Sequence, residues 1–225
     1  MKKEEKNTFV EIYDKLYAFY GTQHWWPAKS RFEMIVGAIL TQNTSWSNVE
    51  IAIADLRKGR MLTPGKILKA DIRKLARVIR SSGYFNLKAK RLKNFTAFLF
   101  KYYKGSLTRM FNARTYSLRK MLLNVDGIGE ETADSILLYA GYKPVFVVDA
   151  YTRRIFSRHG IISAGDTYAQ VQKKITANLN NDYELFNEYH ALIVTLGKNF
   201  CLKKVPLCGN CPLVQVRKPR IRGPQ

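Results

Sequence analysis

The sequence predicts an all-α protein on three observations. Apolar side chains recur at three- to four-residue spacing along most of the chain, helix-start signatures are frequent, and strand-like alternation is scarce. Phe9, Ile12, Tyr13, Leu16, Tyr17 and Tyr20 form the apolar face of a first helix, which ends in the break from Gly21 to Pro27. Ser30 with Glu33, and Ser47 with Glu50, fit capping boxes and mark the next two starts. Thr63 sits before a proline at the first helical position, Pro64, and Asp71 can cap the helix after that. Further breaks fall at Gly83 to Asn86, at Gly105-Ser106 and at Asn124 to Gly129, with a new helix from about Glu130. Gly141 to Pro144 interrupts again, and Val145 to Val148 is apolar but too short to form a sheet. Asp149 can cap a helix from Ala150 to His159, Gly160 to Gly165 breaks it, and Thr167 with Gln170 supplies another capping box. No internal repeat or long low-complexity segment is present, only a basic tail, Arg217-Lys218-Pro219-Arg220-Ile221-Arg222.

Charge narrows the partner. Thirty-eight Lys and Arg against seventeen Asp and Glu give a formal net charge of +21 over 225 residues. Such a surplus favours a polyanion and makes its binding salt-dependent. By itself it leaves open RNA, an acidic membrane surface, or a basic protein that is merely soluble. Apolar residues at 46% and aromatics at 12% suffice for one or two packed cores. No apolar run approaches the length of a membrane span, and Met1-Lys2-Lys3-Glu4-Glu5 lacks the core of a signal peptide, so an intracellular, cytoplasmic location is expected. Three cysteines near the carboxyl end, Cys201, Cys208 and Cys211, argue against a disulfide framework.

The chemistry concentrates between Val125 and Asp149, in V-D-G-I-G-E-E-T-A-D and the later V-V-D-A-Y-T-R-R. Gly127 and Gly129 allow a tight hairpin with outward-facing N–H groups, placed at the positive end of the helix from Glu130. That arrangement suits a phosphate oxygen, although a lone G-x-G is more often an ordinary turn. Asp149 follows as a lone carboxylate after Val147 and Val148. It can be a helix cap, a catalytic group, or both.

Hairpin and aspartate together resemble the helix-hairpin-helix motif and catalytic aspartate of the endonuclease III-like DNA glycosylases, over roughly residues 8 to 212. The resemblance implies two helical domains with a DNA-binding cleft between them: residues 28–142, a six-helix domain ending in the hairpin, and residues 1–27 with 143–225. It implies that Asp149 steadies positive charge on the sugar as the glycosidic bond breaks, and can orient the attacking water. Gly127, Gly129 and Thr132 belong to the part of the motif that would hold the DNA backbone. Bifunctional relatives carry a lysine two positions after the second glycine, where it forms a Schiff base. Here that position is Glu131, which cannot form an imine, and Lys120 and Lys143 lie outside the slot. Water is then the nucleophile and an abasic site the product. Glu131 is otherwise a solvated helix-start residue or a lining of the base pocket.

Trp25-Trp26-Pro27, together with Leu40-Thr41-Gln42-Asn43-Thr44-Ser45-Trp46, resembles the 3-methyladenine glycosylase branch, in which aromatic faces sandwich the extruded base. A cationic, electron-poor alkylated purine suits such faces. Trp26 and Trp46 are expected as the stacking pair, with Trp25 and Pro27 shaping the wall; an interdomain hydrophobic plug is the plainer reading. Gln42 matches the family residue that fills the vacated space in the duplex, and Tyr84 matches a second wedge. Asn86, Lys88 and Arg91 are expected to touch backbone phosphate, although any one of them is more commonly a solvated charge.

Cys201-x6-Cys208-x2-Cys211 matches the first three ligands of the family's four-cysteine iron–sulfur loop, but Arg217 stands where the fourth is expected. An otherwise ligated cluster or a metal-free loop are both open, and zinc on three thiolates is the weaker option. No cofactor is needed for the chemistry itself. The expected activity is thus a monofunctional DNA glycosylase of base-excision repair, releasing alkylated purines from double-stranded DNA as a monomer, without a membrane. A bifunctional glycosylase/lyase and a non-catalytic helix-hairpin-helix DNA-binding module are the alternatives.

Overall fold

The computed structural model describes residues 3–25 and 28–216, with side chains from residue 8 onward. All of its regular elements are helical among the described residues, and none is long and apolar enough to cross a membrane. The chain divides into two compact units, one of residues 1–25 and 144–225, the other of residues 26–143.

The central unit holds α2 (Arg31–Leu40), α3 (Trp46–Lys58), α4 (Pro64–Lys69), α5 (Ile72–Val78), α6 (Phe85–Tyr103), α7 (Leu107–Phe111), α8 (Thr115–Leu123) and α9 (Glu130–Ser135). The starts follow sequence chemistry. Ser30 accepts from the Glu33 N–H, Thr63 from the Lys66 N–H with Pro64 in the first turn, and Asp71 from the Lys74 N–H. α3 departs from expectation: its cap is Ser45, not Ser47, which falls inside the first turn with its hydroxyl 3.0 Å from that of Ser45. The likewise expected break over Gly83 to Asn86 is shorter than predicted, because α6 already begins at Phe85. α6 is the central rod of this unit, and Leu92, Phe95 and Leu99 bury its inner face. α9 continues into a wider π turn, Ile136–Ala140, whose residues are all buried. Gly141 ends it; a Cβ there would lie 2.6 Å from the Leu137 carbonyl oxygen.

The other unit packs α1 (Lys3–Tyr20) and α12 (Tyr183–Asn199) with α10 (Ala150–Arg158) and α11 (Tyr168–Thr176). Phe9, Phe156 and Tyr189 meet at its centre, Phe9 edge-on to Phe156 with centroids 5.4 Å apart, and the Tyr189 hydroxyl donates to the Phe9 carbonyl at 2.8 Å. α11 carries the complete capping box of Thr167 and Gln170. The extended run into α10 is pinned from α11. Gln172 Nε2 donates to the Phe146 carbonyl at 2.6 Å, and the Val148 N–H donates to the Tyr168 hydroxyl at 3.2 Å. Phe146, Val147 and Val148 are buried, so the residue that follows them, Asp149, has a fixed origin.

Candidate active site and hairpin

Asp149 is buried, 8% exposed, at the N-cap of α10. Its Oδ1 accepts from both the N–H (2.7 Å) and the hydroxyl (3.0 Å) of Thr152. Its Oδ2 faces Nε2 of His190, on α12, at 3.5 Å. Burial pushes the carboxyl toward neutrality. The charge and donor of His190 and the two Thr152 donors outweigh it, so the group stays below the usual carboxylate range. Asp149 is therefore both a helix cap and an ionised carboxylate held in a low-dielectric setting. Such a group can stabilise a developing cation or polarise a water. His190 and Thr152 were not legible as its partners in the sequence. Thr152 follows from the cap geometry, three residues into the helix, whereas His190 arrives from a helix far along the chain.

In the central unit, the hairpin joins α8 to α9. Gly127 has φ +90°, a conformation that favours glycine, and a Cβ there would collide with the Arg91 stem, 2.9 Å from its Cδ. Gly129 caps α9 in extended backbone, with open space where a Cβ would point. Arg119 of α8 clasps the buried Asp134 of α9 through Nε (2.6 Å) and a second nitrogen (2.9 Å), which fixes the two helices around the turn. Glu131 is exposed in the first turn of α9, and its carbonyl accepts from the Ser135 hydroxyl.

Gln42 lies against this hairpin. Its Nε2 donates to the Gly127 carbonyl at 3.0 Å and to the Thr132 hydroxyl at 2.8 Å, while Arg91 donates to its Oε1. Gln42, Arg91, Gly127 and Thr132 thus form one polar cluster. In it, Thr132 is buried and holds Gln42, and Arg91 is partly buried. Tyr84 projects at the tip of a tight turn, 70% exposed, with φ +44° and ψ 34°. Asn86 is exposed on the first turn of α6. Lys88 corrects its expected role at phosphate: it is 1% exposed, and its ammonium donates to the carbonyls of Leu40 (2.7 Å) and Ser82 (2.6 Å). Lys88 stands four residues before Leu92 and seven before Phe95, on the buried face of α6, and reaches two carbonyls left at segment ends; no charge count could distinguish that face.

Of the aromatic pocket residues, Trp26 and Pro27 lie outside the described residues. Trp46 is partly exposed at the start of α3. Trp25, in the other unit, is partly exposed with the Lys198 ammonium 5.5 Å from its ring centroid, so that indole face already attracts a cation.

The cysteine loop cannot hold a four-thiolate cluster. The chain has three cysteines, so it cannot supply four thiolates, and Arg217 lies outside the described residues. Among the described residues, no three His, Cys, Asp or Glu side chains are grouped to hold a metal ion. Arg158 donates to Cys201 Sγ at 3.2 Å. Burial pushes the Cys211 thiol upward, away from the thiolate. The loop is held instead by side chains of α10: Arg154 on the carbonyls of Cys201 and Gly197, and Arg158 on those of Leu202 and Lys203.

A family model for helix-hairpin-helix (HhH-GPD) superfamily base excision DNA repair proteins matches residues 36–181. A Methanocaldococcus jannaschii protein named as a DNA repair glycosylase is 50% identical over 215 residues, 95% of this chain and 97% of the relative. The Helicobacter pylori 3-methyladenine DNA glycosylase bound to 1,N6-ethenoadenine is 31% identical, with a TM-score of 0.73 over 85% of this chain and 97% of that one. An endonuclease III–DNA complex shares the fold at a TM-score of 0.82 and 21% identity, covering 97% of this chain and 96% of that one. With a matching family model over more than half its length, the chain belongs to the HhH-GPD superfamily of base-excision DNA glycosylases.

Proposed function

We propose that this protein is a monofunctional DNA glycosylase that hydrolyses the N-glycosidic bond of alkylated, 3-methyladenine-type purines in double-stranded DNA. The observation that carries the reading is the ionised, buried Asp149 between Thr152 and His190. As the bond to a cationic purine breaks, the base leaves neutral and positive charge builds on the sugar. A preorganised anion beside it lowers that barrier and can orient the water that completes hydrolysis. The base needs little acid assistance, because its charge already weakens the bond.

The absence of strand cleavage follows from the hairpin. Glu131 occupies the slot where a lysine amine would add to the sugar, and a carboxylate cannot form an imine. Substrate class rests on the sequence resemblance carried by Trp26 and Trp46 as the stacking pair, with Trp25 and Pro27 as the wall, and on the likeness to the 3-methyladenine glycosylase. Gln42 and Tyr84 enter the duplex when the base leaves the stack, and Gly127, Gly129 and Thr132 belong to the hairpin that grips the backbone.

Duplexes carrying 3-methyladenine, 7-methylguanine, hypoxanthine, uracil or thymine glycol test this directly. Base release is expected from the alkylated purines, strand breaks only after alkali, and no covalent complex on adding borohydride. Release confined to uracil or thymine glycol would remove the substrate class. A borohydride-trapped complex would remove the hydrolytic mechanism.

A further inference from the structure

Lys88 is a buried cation with no place in the chemistry above. Its ammonium touches two backbone carbonyls from different loops. Leu40 is the last residue of α2, directly before the loop that carries Gln42. Ser82 ends the single 3-10 turn Arg80–Ser82, directly before Gly83 and Tyr84. Both carbonyls sit at the end of a helical segment, where acceptors lack partners within the segment and the dipole favours a cation. A lysine suits this position because it is a compact charge with several donors, able to serve two acceptors at once. One turn further along α6, Arg91 holds the side-chain oxygen of Gln42, whose amide nitrogen reaches Gly127 and Thr132.

We propose that Lys88 is a positioning residue for base extrusion, its ammonium locking the Gln42 loop and the Tyr84 turn to one helix so that both side chains meet the duplex at a fixed separation. The inference rests on the reading of Gln42 and Tyr84 as the groups that enter the duplex. Three features of the structure support it over a purely stabilising role. Burying an ammonium is expensive, and two neutral donors or an apolar contact would fasten two loops at lower cost. Burial, and next the Arg91 charge, pull the group down to about 8, which shows how weakly the surroundings favour the cation apart from those two carbonyls. And the two loops it joins carry a tyrosine held in the left-handed region and an asparagine, Asn43, at φ +54°, strained backbone that drifts unless it is held from behind.

Extrusion separates this role from simple stability. A lesion paired with its partner must be pushed out and the gap filled, which takes a few kcal/mol of unstacking per step. A lesion opposite an abasic spacer is already unpaired and leaves no partner to support. Single-turnover base release by the full chain is therefore measured on both substrates, for the wild type and for Lys88→Met, which keeps the stem and removes the charge. The expected result is a fall of about tenfold or more on the paired lesion and of less than about threefold on the unpaired one. A matching loss of duplex opening is expected, read as a smaller rise on binding in the fluorescence of 2-aminopurine placed beside the lesion. Equal loss on the two substrates would make Lys88 a stability residue only, and equal retention would make it dispensable; either overturns the proposal. If Lys88→Met does not fold, Lys88→Ala is assayed with and without propylammonium, and rescue confined to the paired lesion supports the brace while its absence overturns it. Wild-type protein that releases no base from any duplex would instead remove the glycosylase reading, a failure visible before any variant is made.

Discussion

Asp149 is a helix cap and, in the proposed reaction, also the anion beside the sugar. As an N-cap it spends Oδ1 on Thr152, and only Oδ2 is left for chemistry, facing His190 at 3.5 Å. Asp149→Asn keeps a good cap while removing the charge, so the two duties separate experimentally. Base release is expected to fall by about three orders of magnitude, the usual scale for losing a preorganised electrostatic group, with duplex binding retained. The linkage has a definite sign. The folded carboxyl lies below its unfolded value, so its contribution to stability is present above the ordinary carboxylate pKa and is lost as pH falls through the folded one. Urea unfolding should find wild type more stable than Asp149→Asn at pH 7, with the gap closing below the usual aspartate range. A gap that widens in acid would mean the native site prefers the protonated acid. At this scale what was legible in the sequence is the cap role of Asp149, not the identity of the side chains that hold it. Asp149 and Thr152 share one turn, but His190 reaches them from α12, and nothing in its own neighbourhood marks it as different from a core histidine.

Among the elements, the turn between α8 and α9 carries the clearest constraint. Gly127 is the place where the hairpin, Arg91 and Gln42 converge, and its φ of +90° and lack of a side chain are both used. Gly127→Ala adds roughly 1 kcal/mol of backbone strain and must also displace the Arg91 stem. A drop in melting temperature of at least about 2–4 °C is expected for a chain of this length. Release from a paired lesion should fall further than stability alone explains, because Gln42 loses its anchor. Gly129→Ala, where an added methyl meets open space in extended backbone, is the control and should change stability little. A larger effect at Gly129 than at Gly127 would overturn this account. The glycine pair was legible because turn geometry is written in residue type. Helix starts were legible for the same reason at Ser30, Thr63, Asp71 and Thr167, where a side-chain oxygen meets an N–H three residues on. Ser47 misled because Ser45 precedes it with an equally competent position, and a pattern of two serines cannot choose between them. Lys88 misled for a different reason: a basic residue in a basic stretch reads as surface, and only the direction of α6 reveals that it points inward.

For the molecule as a whole, a net charge of +21 belongs to every step that brings it to DNA. Charge at this scale raises encounter rates and gives sequence-independent grip on phosphate, on which the rarer recognition of a damaged base must act. Not every cation takes part. Lys88 serves carbonyls, Arg119 is committed to Asp134, and Arg154 and Arg158 fasten the cysteine loop, so the formal count overstates the surface that meets DNA. Asn86, Lys90 and the exposed start of α6 remain at the surface beside Tyr84, with Lys90 only 3.6 Å from the exposed Asp126 of the hairpin. That pair is a weak, solvent-screened one that phosphate can displace. Undamaged-duplex binding should therefore fall steeply with salt, by about 10³-fold between roughly 50 and 200 mM if some six phosphates are neutralised. Lys90→Ala should lower the slope of log Kd against log salt by about one unit, whereas Lys88→Met should leave that slope unchanged and alter only the response to a damaged base. Equal slopes for wild type and Lys90→Ala would take the start of α6 out of the DNA footprint. A reduced slope in Lys88→Met would return that lysine to the phosphate backbone, against its burial between Leu40 and Ser82.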